Sequence, residues 1–195
     1  MRRFILVGCA AILCVSRGQA QQPLANNYIL SLGVGGGATI PTGNGGSSVK
    51  TGINGQAYAL VQIPGFFALR FNFGYQKFDY NLQNTLGATP GTREILSGVG
   101  ALQINLLHGP VRPYLTAGVG AFDLKAPTDS ASATTTSKIN FGIDAGAGLA
   151  IRFGRVSAFA EGRVQNVYTK DGGWIKSAKQ INVIPVTFGL CVGLF

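Results

Sequence analysis

One segment of this chain alternates between apolar and small or polar residues for fifteen positions, and this pattern strongly constrains the fold. From position 139 to 153 every odd residue is Ile, Phe, Ala or Leu, while the even residues are Asn, Gly, Asp, Ala or Arg. A β-strand directs successive side chains to opposite faces, so the segment predicts a strand with one apolar face. The segment is longer than the roughly 9–11 residues that a tilted strand needs to cross a bilayer.

The same alternation recurs along the chain and predicts eight strands. Their connections alternate in length, short at 63–65, 108–113 and 154–155, and long at 41–48, 81–92, 127–137 and 170–179. Pro and Gly punctuate the short connections, and Ser, Thr, Asn and Gly fill the long ones. Bacterial outer-membrane barrels have short periplasmic turns and longer extracellular loops. The sequence therefore predicts an all-β fold: an eight-stranded antiparallel up-and-down transmembrane β-barrel, with both termini in the periplasm.

The two faces of the predicted strands differ in polarity, which indicates the outer face. In the first strand, Tyr28, Leu30, Leu32 and Val34 form the apolar face. The apolar faces of the eight strands carry almost no charge, and an apolar outside around a polar inside is the arrangement of a membrane barrel. A soluble lipid-binding barrel is the alternative, because alternation alone does not label the outer face.

Five charged residues fall on the predicted inner face, namely Arg70, Asp144, Arg152, Glu161 and Arg163. Charges in a low-dielectric interior are normally paired, so we expect these residues to form an ion-pair network. A gate or selectivity element in a pore is the alternative role. The interior of an eight-stranded barrel is just filled by side chains, which disfavours a wide channel.

The N-terminus has the order of a secretory signal peptide. A positive start with Arg2 and Arg3 precedes an apolar run at 4–15, and a small residue, Ala20, marks the expected cleavage edge. The apolar run is too short to span a membrane as a helix. We therefore expect a signal peptide at 1–20 and one barrel domain at 21–195; a buried N-terminal helix is the alternative. Cys191 would then be the one cysteine of the mature chain, which excludes an intramolecular disulfide.

Composition and charge are consistent with a membrane protein. The chain is 46% hydrophobic and 12% charged, whereas soluble domains carry about 25% charged residues. The net charge is +9, and removing Arg2, Arg3 and Arg17 with the signal peptide lowers it to +6. The cations are scattered near strand ends and loops, so we predict no nucleic-acid partner. Basic strand ends can pair with lipid phosphates or can simply be solvated.

Several segments resemble one family of small barrels. The segments are RPYLTAGVG at 112–120, FGIDAGAGL at 141–149, FAEGR at 159–163 and PVTFGL at 185–190, followed by a terminal Phe195. Together they are similar to the opacity-protein and outer-membrane-protein-X-like barrel family. The resemblance implies that the last strand is recognised by the barrel-assembly machinery. That signal would comprise Phe188, Leu190, Val192 and Phe195, although Phe195 lies on the opposite parity from the other three.

Residues that could perform chemistry are few. His108, the one histidine, lies in a predicted turn without a nearby carboxylate or nucleophile, so we predict no catalytic residue, metal site or cofactor. The leading interpretation is a non-enzymatic scaffold in the bacterial outer membrane, contacting lipid and displaying its loops to an extracellular ligand. A narrow passive pore for small solutes or ions is the alternative, and a lipid-modifying enzyme is less favoured. Trp174 is the loop aromatic that could contact a partner or anchor the membrane interface.

Overall fold

The structure, a computed structural model, describes residues 28–42, 51–80, 91–126, 136–168 and 180–194. Within these ranges the chain forms eight strands and no helix, so none of the described residues belongs to a helix that could cross a membrane. The strands are β1 (Leu30–Thr42), β2 (Gly52–Gln62), β3 (Phe67–Tyr80), β4 (Gly91–Asn105), β5 (Val111–Ala126), β6 (Thr136–Phe153), β7 (Val156–Tyr168) and β8 (Gln180–Gly193).

The eight strands close into a barrel in which each strand lies beside its neighbours in sequence. β1 pairs antiparallel with β8, from Ser31 opposite Gly193 to Thr42 opposite Asn182. Closure gives every strand a hydrogen-bonding neighbour on both sides, which the water-free core of a bilayer requires. The predicted all-β, eight-stranded, antiparallel up-and-down fold is confirmed.

The connections distinguish the two ends of the barrel. The turns at 63–66, 106–110 and 154–155 lie at one end, which we call the short-turn end, together with both ends of the described chain. Gly65 and Gly154 have φ angles of 98° and 63° there, a backbone conformation that other residues adopt at a cost. The connections at 43–50, 81–90, 127–135 and 169–179 lie outside the described residues and join strands at the opposite end, the long-connection end.

Several strands extend further than the sequence pattern predicted. β5 begins at Val111, so Arg112 and Pro113 belong to a strand and not to a turn. β1, β4 and β6 likewise extend two residues beyond their predicted ends. In each case the neighbouring strand continues the ladder: Pro113 pairs with Leu149, for example, and its carbonyl accepts a hydrogen bond of 2.9 Å from the Leu106 amide. Turn-forming residue types alone therefore made these strands too short.

The alternation of faces follows the prediction, with one correction. Phe73, Phe153 and Ile139 on the outer surface are 66–77% exposed, whereas inward residues such as Arg70 are almost fully buried. The prediction that Tyr28 faces lipid is wrong. The guanidinium of Arg152 lies 5.2 Å from the centre of the Tyr28 ring, and the strand begins only at Leu30, so strand parity does not extend to Tyr28.

Part of the interior nearest the long connections is apolar, which the sequence pattern did not predict, and it lies among buried polar side chains such as Gln76 and Thr187. Inward side chains there pack into one cluster, which we call the apolar core. Phe78 and Phe122, which mark strand ends in sequence, belong to this core and are completely buried. The core consists of Phe78, Ile95, Val99, Ala101, Phe122, Leu124, Val167 and Val183, with Ile181 packed against it.

Inward glycines make room for large inward side chains on the next strand. Gly33 pairs with Tyr58 and Gly148 pairs with Tyr114, and a Cβ atom on either glycine would collide with the tyrosine ring. The same relation holds for Gly142 with Phe122, Gly189 with Phe159 and Gly146 with Arg163. The glycines of the alternating segments are therefore a packing requirement of this narrow interior.

Replacing an inward glycine should destabilise the barrel, and replacing an outward one should not. We expect Gly148→Ala to lower the free energy of unfolding by about 1–3 kcal/mol, because the added methyl group overpacks the interior against Tyr114. The control is Gly98→Ala, since nothing lies within 4 Å of a Cβ at Gly98. Alanine there should be neutral or stabilising by about 0.5–1 kcal/mol. Urea unfolding in detergent micelles measures both, and equal effects would contradict this packing.

Candidate functional site: the barrel interior

An ion pair between β3 and β7 lies at the centre of the described interior. Arg70 and Glu161 form a bidentate contact: the Arg70 Nη1 group bonds Glu161 Oε2, and Nη2 donates to Oε1 at 3.1 Å. Arg70 Nε donates to Asn72 Oδ1 at 2.8 Å, and Nη1 also donates to Gln103 Oε1 at 3.5 Å. Arg70 is 1% exposed and Glu161 is 3% exposed. Paired geometry of this kind is what offsets the cost of removing two charges from water.

A second ion pair continues the network along β7. Arg163 contacts Asp144 on β6 through Nη2 at 2.8 Å and through Nε at 3.0 Å. Its Nε also lies 3.8 Å from Glu161, so the two pairs are joined. Gln56 links them again: its amide oxygen accepts from Arg163 Nη1 at 2.9 Å, and its amide nitrogen donates to Glu161 at 3.4 Å. We call Arg70, Asp144, Glu161 and Arg163 the central charge network.

Neutral amides extend this network across the interior. Gln165 donates to Asp144 at 2.9 Å and accepts from Gln76 at 2.6 Å. The sequence pattern predicted the charges of this network but not these amide partners, and the available signal for them was that they fall on the inward face. Two carboxylates and two guanidinium groups balance in charge, and the amides occupy further hydrogen-bonding positions. Such an arrangement can hold strands together.

Arg152, the fifth predicted member, does not join the other four. It lies near the short-turn end, where its Nε donates to the Gly154 carbonyl at 2.9 Å and its guanidinium lies near the Tyr28 ring. Inward parity was correct for Arg152, but its position near the end of β6 separates it from the acidic residues. Parity assigns a face, whereas contact also depends on the depth of a residue along the barrel.

Aromatic rings separate the central charge network from the short-turn end. The Arg70 guanidinium lies 3.9 Å from the centre of the Tyr58 ring, a cation–π contact. Tyr58 in turn packs edge-on against Phe159, with ring centres 5.4 Å apart. The centre of the Tyr114 ring lies 6.0 Å from the same guanidinium. These rings shield the Arg70–Glu161 pair from the solvent at this end.

A small cavity lies beyond these rings at the short-turn end, and we call it the mouth cavity. Its volume is about 80 Å³, and its lining includes Tyr28, Arg112, Arg152, Arg155 and Cys191. The Arg112 Nε donates to the Gly109 carbonyl at 2.9 Å, so a turn fixes this side chain. The central charge network lies deeper in the barrel, and its four side chains are almost completely buried.

The other candidate residues lie as follows. His108 is in a short turn, with its ring edge-on to Phe66 at 4.5 Å. Phe188, Leu190 and Val192 point outward from β8 and are 40–63% exposed. Phe195 and Trp174 lie outside the described residues. Within the described ranges, no group of three His, Cys, Asp or Glu side chains could hold a metal ion.

Comparison with solved structures shows which barrels share this fold. Neisserial surface protein A superposes with a TM-score of 0.65 at 14% identity, covering 85% of this chain and 97% of that protein. The crystal structure of Ail, the attachment invasion locus protein of Yersinia pestis, gives 0.50 at 11% identity, covering 83% and 97%. The outer membrane protein Ail in a phospholipid nanodisc gives 0.50 at 12% identity, covering 84% and 97%. The chain has the fold of a small outer-membrane barrel.

These likenesses confirm the fold that the sequence resemblance implied. No protein-family model matches the sequence, and no curated protein matches it. At identities of 11–14% the crystal structures establish architecture alone.

Removing one partner of the central ion pair should destabilise the barrel strongly. We expect Glu161→Gln to lower the free energy of unfolding by about 3–5 kcal/mol, because it leaves the Arg70 charge buried without its counter-ion. The matched control is Glu94→Gln, the same change beside Lys77 and Lys125 near the end of β4. A pair near the surface contributes about 0–1 kcal/mol. Denaturant unfolding in micelles measures both, and a similar loss in the two variants would contradict the role of this network.

Proposed function

We propose that this protein is a non-enzymatic, integral outer-membrane barrel of a Gram-negative bacterium that displays its long connections as a surface-interaction scaffold. The observation that carries the proposal is the combination of an apolar outer surface with a filled interior. Such a barrel binds lipid on its outside and offers no broad passage through its centre. Its working surface is then the set of connections at 43–50, 81–90, 127–135 and 169–179.

The outer surface supports a membrane location. Large apolar side chains cover it on every strand, an extent that soluble monomers rarely expose. Exposed aromatic residues also concentrate towards both ends of the apolar band, as in the interfacial belts of outer-membrane barrels. These are Phe66, Phe67 and Phe153 near the short turns, and Tyr75, Phe141 and Tyr168 near the long connections.

The interior supports a structural role for its charges. Asp144 and Glu161 are 2% and 3% exposed, and each is bound by an arginine. A general acid or base must reach a substrate proton, and these buried, paired carboxylates are not placed to do so. The lipid-modifying enzyme is therefore the least supported of the three functions.

The two ends of the chain and the long connections have proposed roles in assembly and in binding. We propose that residues 1–20 direct export and that β8, with Phe188, Leu190 and Val192 on its outer face and Phe195 at its end, is read by the barrel-assembly machinery. The long connections would bind an extracellular ligand, with Trp174 as a candidate contact. Ail, whose name records attachment and invasion, is an example of an attachment protein built on this fold.

Surface display of the long connections tests the proposal. An epitope inserted at position 130 should be labelled by antibody on intact cells, because that connection would face outward. The control is the same epitope inserted after Gly109 in a short turn, which should be labelled only after the outer membrane is permeabilised. The reverse pattern, or a tagged protein in the soluble fraction, would contradict the proposal.

A further inference from the structure

The ladder of hydrogen bonds between β7 and β8 is interrupted in the middle of the barrel wall. It pairs Gly162 with Val186 and resumes at Gln165 with Val183, so two residues of each strand have no pair in this ladder. The register is the same on both sides of the interruption, which therefore contains no bulge. The residues at the interruption, which we call the wall gap, are Arg163, Val164, Ile184 and Pro185.

The wall gap is specific to the seam between β7 and β8. On its other side, β8 pairs with β1 without a break from Ser31 opposite Gly193 to Thr42 opposite Asn182. The other ladders of the barrel also run without interruption along the paired residues of the described strands. One seam of this closed sheet is therefore weaker than the rest.

The direction of the backbone amides explains the wall gap. The Gly193 amide donates to the Arg155 carbonyl, and the Leu194 amide donates to the Leu30 carbonyl, both at 2.8 Å. Amides point to alternate sides along a strand, so the odd-numbered amides of β8 face β7 and the even-numbered amides face β1. An amide at position 185 would donate to the Arg163 carbonyl, but proline has no amide hydrogen.

Pro185 differs in position from the other prolines of the described strands. Pro41 and Pro113 lie near a strand end. Pro185 lies inside β8 with a neighbouring strand on each side, a position that proline normally avoids because it removes a ladder bond. An unpaired backbone group is especially costly in the core of a bilayer. The wall gap is therefore a weak point at a depth where the wall is expected to be continuous.

Side chains tie β8 to the strands on the side away from the wall gap. The Thr187 hydroxyl donates to Asn54 Oδ1 on β2 at 2.9 Å, and the Asn54 amide nitrogen donates to the Val186 carbonyl at 3.2 Å. Arg163, on the β7 side of the gap, is held by Asp144 on β6. None of these three contacts crosses the wall gap, so β8 is held to β2 independently of its seam with β7.

We propose that the wall gap is a built-in lateral opening point of the barrel, at which β7 and β8 separate locally and reversibly while β8 stays paired with β1. Local opening takes place where the contacts that resist it are fewest. The first and last strands of the barrel meet at the seam between β1 and β8, but the ladder of that seam is complete. The opening is directed towards the bilayer and makes no passage along the barrel axis, so it stands or falls separately from the scaffold function.

Amide hydrogen exchange, measured by NMR on the full-length chain refolded in detergent micelles, tests this opening within one strand. The amides of Val183 and Thr187 face β7 on either side of the wall gap, and those of Ile184 and Val186 face β1 at the same depth. After correction for intrinsic rates, the first pair should exchange roughly tenfold faster in the wild type, the effect of one lost hydrogen bond on an opening equilibrium. All four residues have a ladder pair on the side that their amide faces, so the difference reports opening of the seam.

A variant that supplies the missing donor completes the test. Pro185→Val adds an amide at the wall gap and should slow the exchange of Val183 and Thr187 to the rates of the pair that faces β1. The control is Pro41→Val, the same change near the end of β1, which should leave all four rates unchanged.

The comparison within the wild type needs no variant, so it decides the proposal even if Pro185→Val does not fold. Equal rates for the two pairs of amides in the wild type would overturn the proposal. Faster exchange of the pair that faces β1 would overturn it too, and so would rates in a folded Pro185→Val that match those of the wild type.

Discussion

The buried contact between Arg70 and Glu161 is the interaction on which the interior of this barrel depends. Charged side chains from several strands meet inside a narrow closed sheet, where burying an unpaired ion would cost several kcal/mol of folding free energy. The pair is 1% and 3% exposed, and it is joined to a second pair through Arg163. The Arg70–Glu161 pair joins β3 to β7 across the interior, and the Arg163–Asp144 pair joins the neighbouring strands β6 and β7, so the network ties the barrel together across its centre as well as around its wall. A filled centre in turn leaves the connections as the places where a ligand can be recognised.

The space for this network is created by residues that have no side chain. Gly146 lies where the stem of Arg163 passes, and a Cβ there would approach Arg163 Cγ to 2.6 Å. The ladder beside Arg163 is interrupted. The ladder between β7 and β8 pairs Gly162 with Val186 and resumes at Gln165 with Val183. Pro185 lies within the interruption and has no amide hydrogen to donate to the ladder. The interruption includes Arg163, a member of the central charge network.

The fold could be predicted from sequence because the alternation of apolar and polar residues along each strand determines it. Alternation with period two identified the strands and both faces, and the lengths of connections identified the two ends. The limits were local. Tyr28 precedes the first strand and turns towards Arg152, so its parity carried no information. The apolar core was missed because residues such as Ile95 and Val99 are apolar on an inner face that elsewhere is polar. The mouth cavity brings Arg112 from β5 beside Arg152 and Arg155 at the turn between β6 and β7, and only the register of the barrel shows that these segments meet.

We propose that this barrel is closed by its own side chains and serves as a scaffold. Single-channel recording on purified protein in planar bilayers tests it most directly. A barrel closed in this way should show no discrete conductance steps, and Arg163→Gln should not differ from the wild type in this respect. Reproducible steps in the wild type that change in size when Arg70 or Arg163 is neutralised would contradict a closed scaffold and establish the narrow pore.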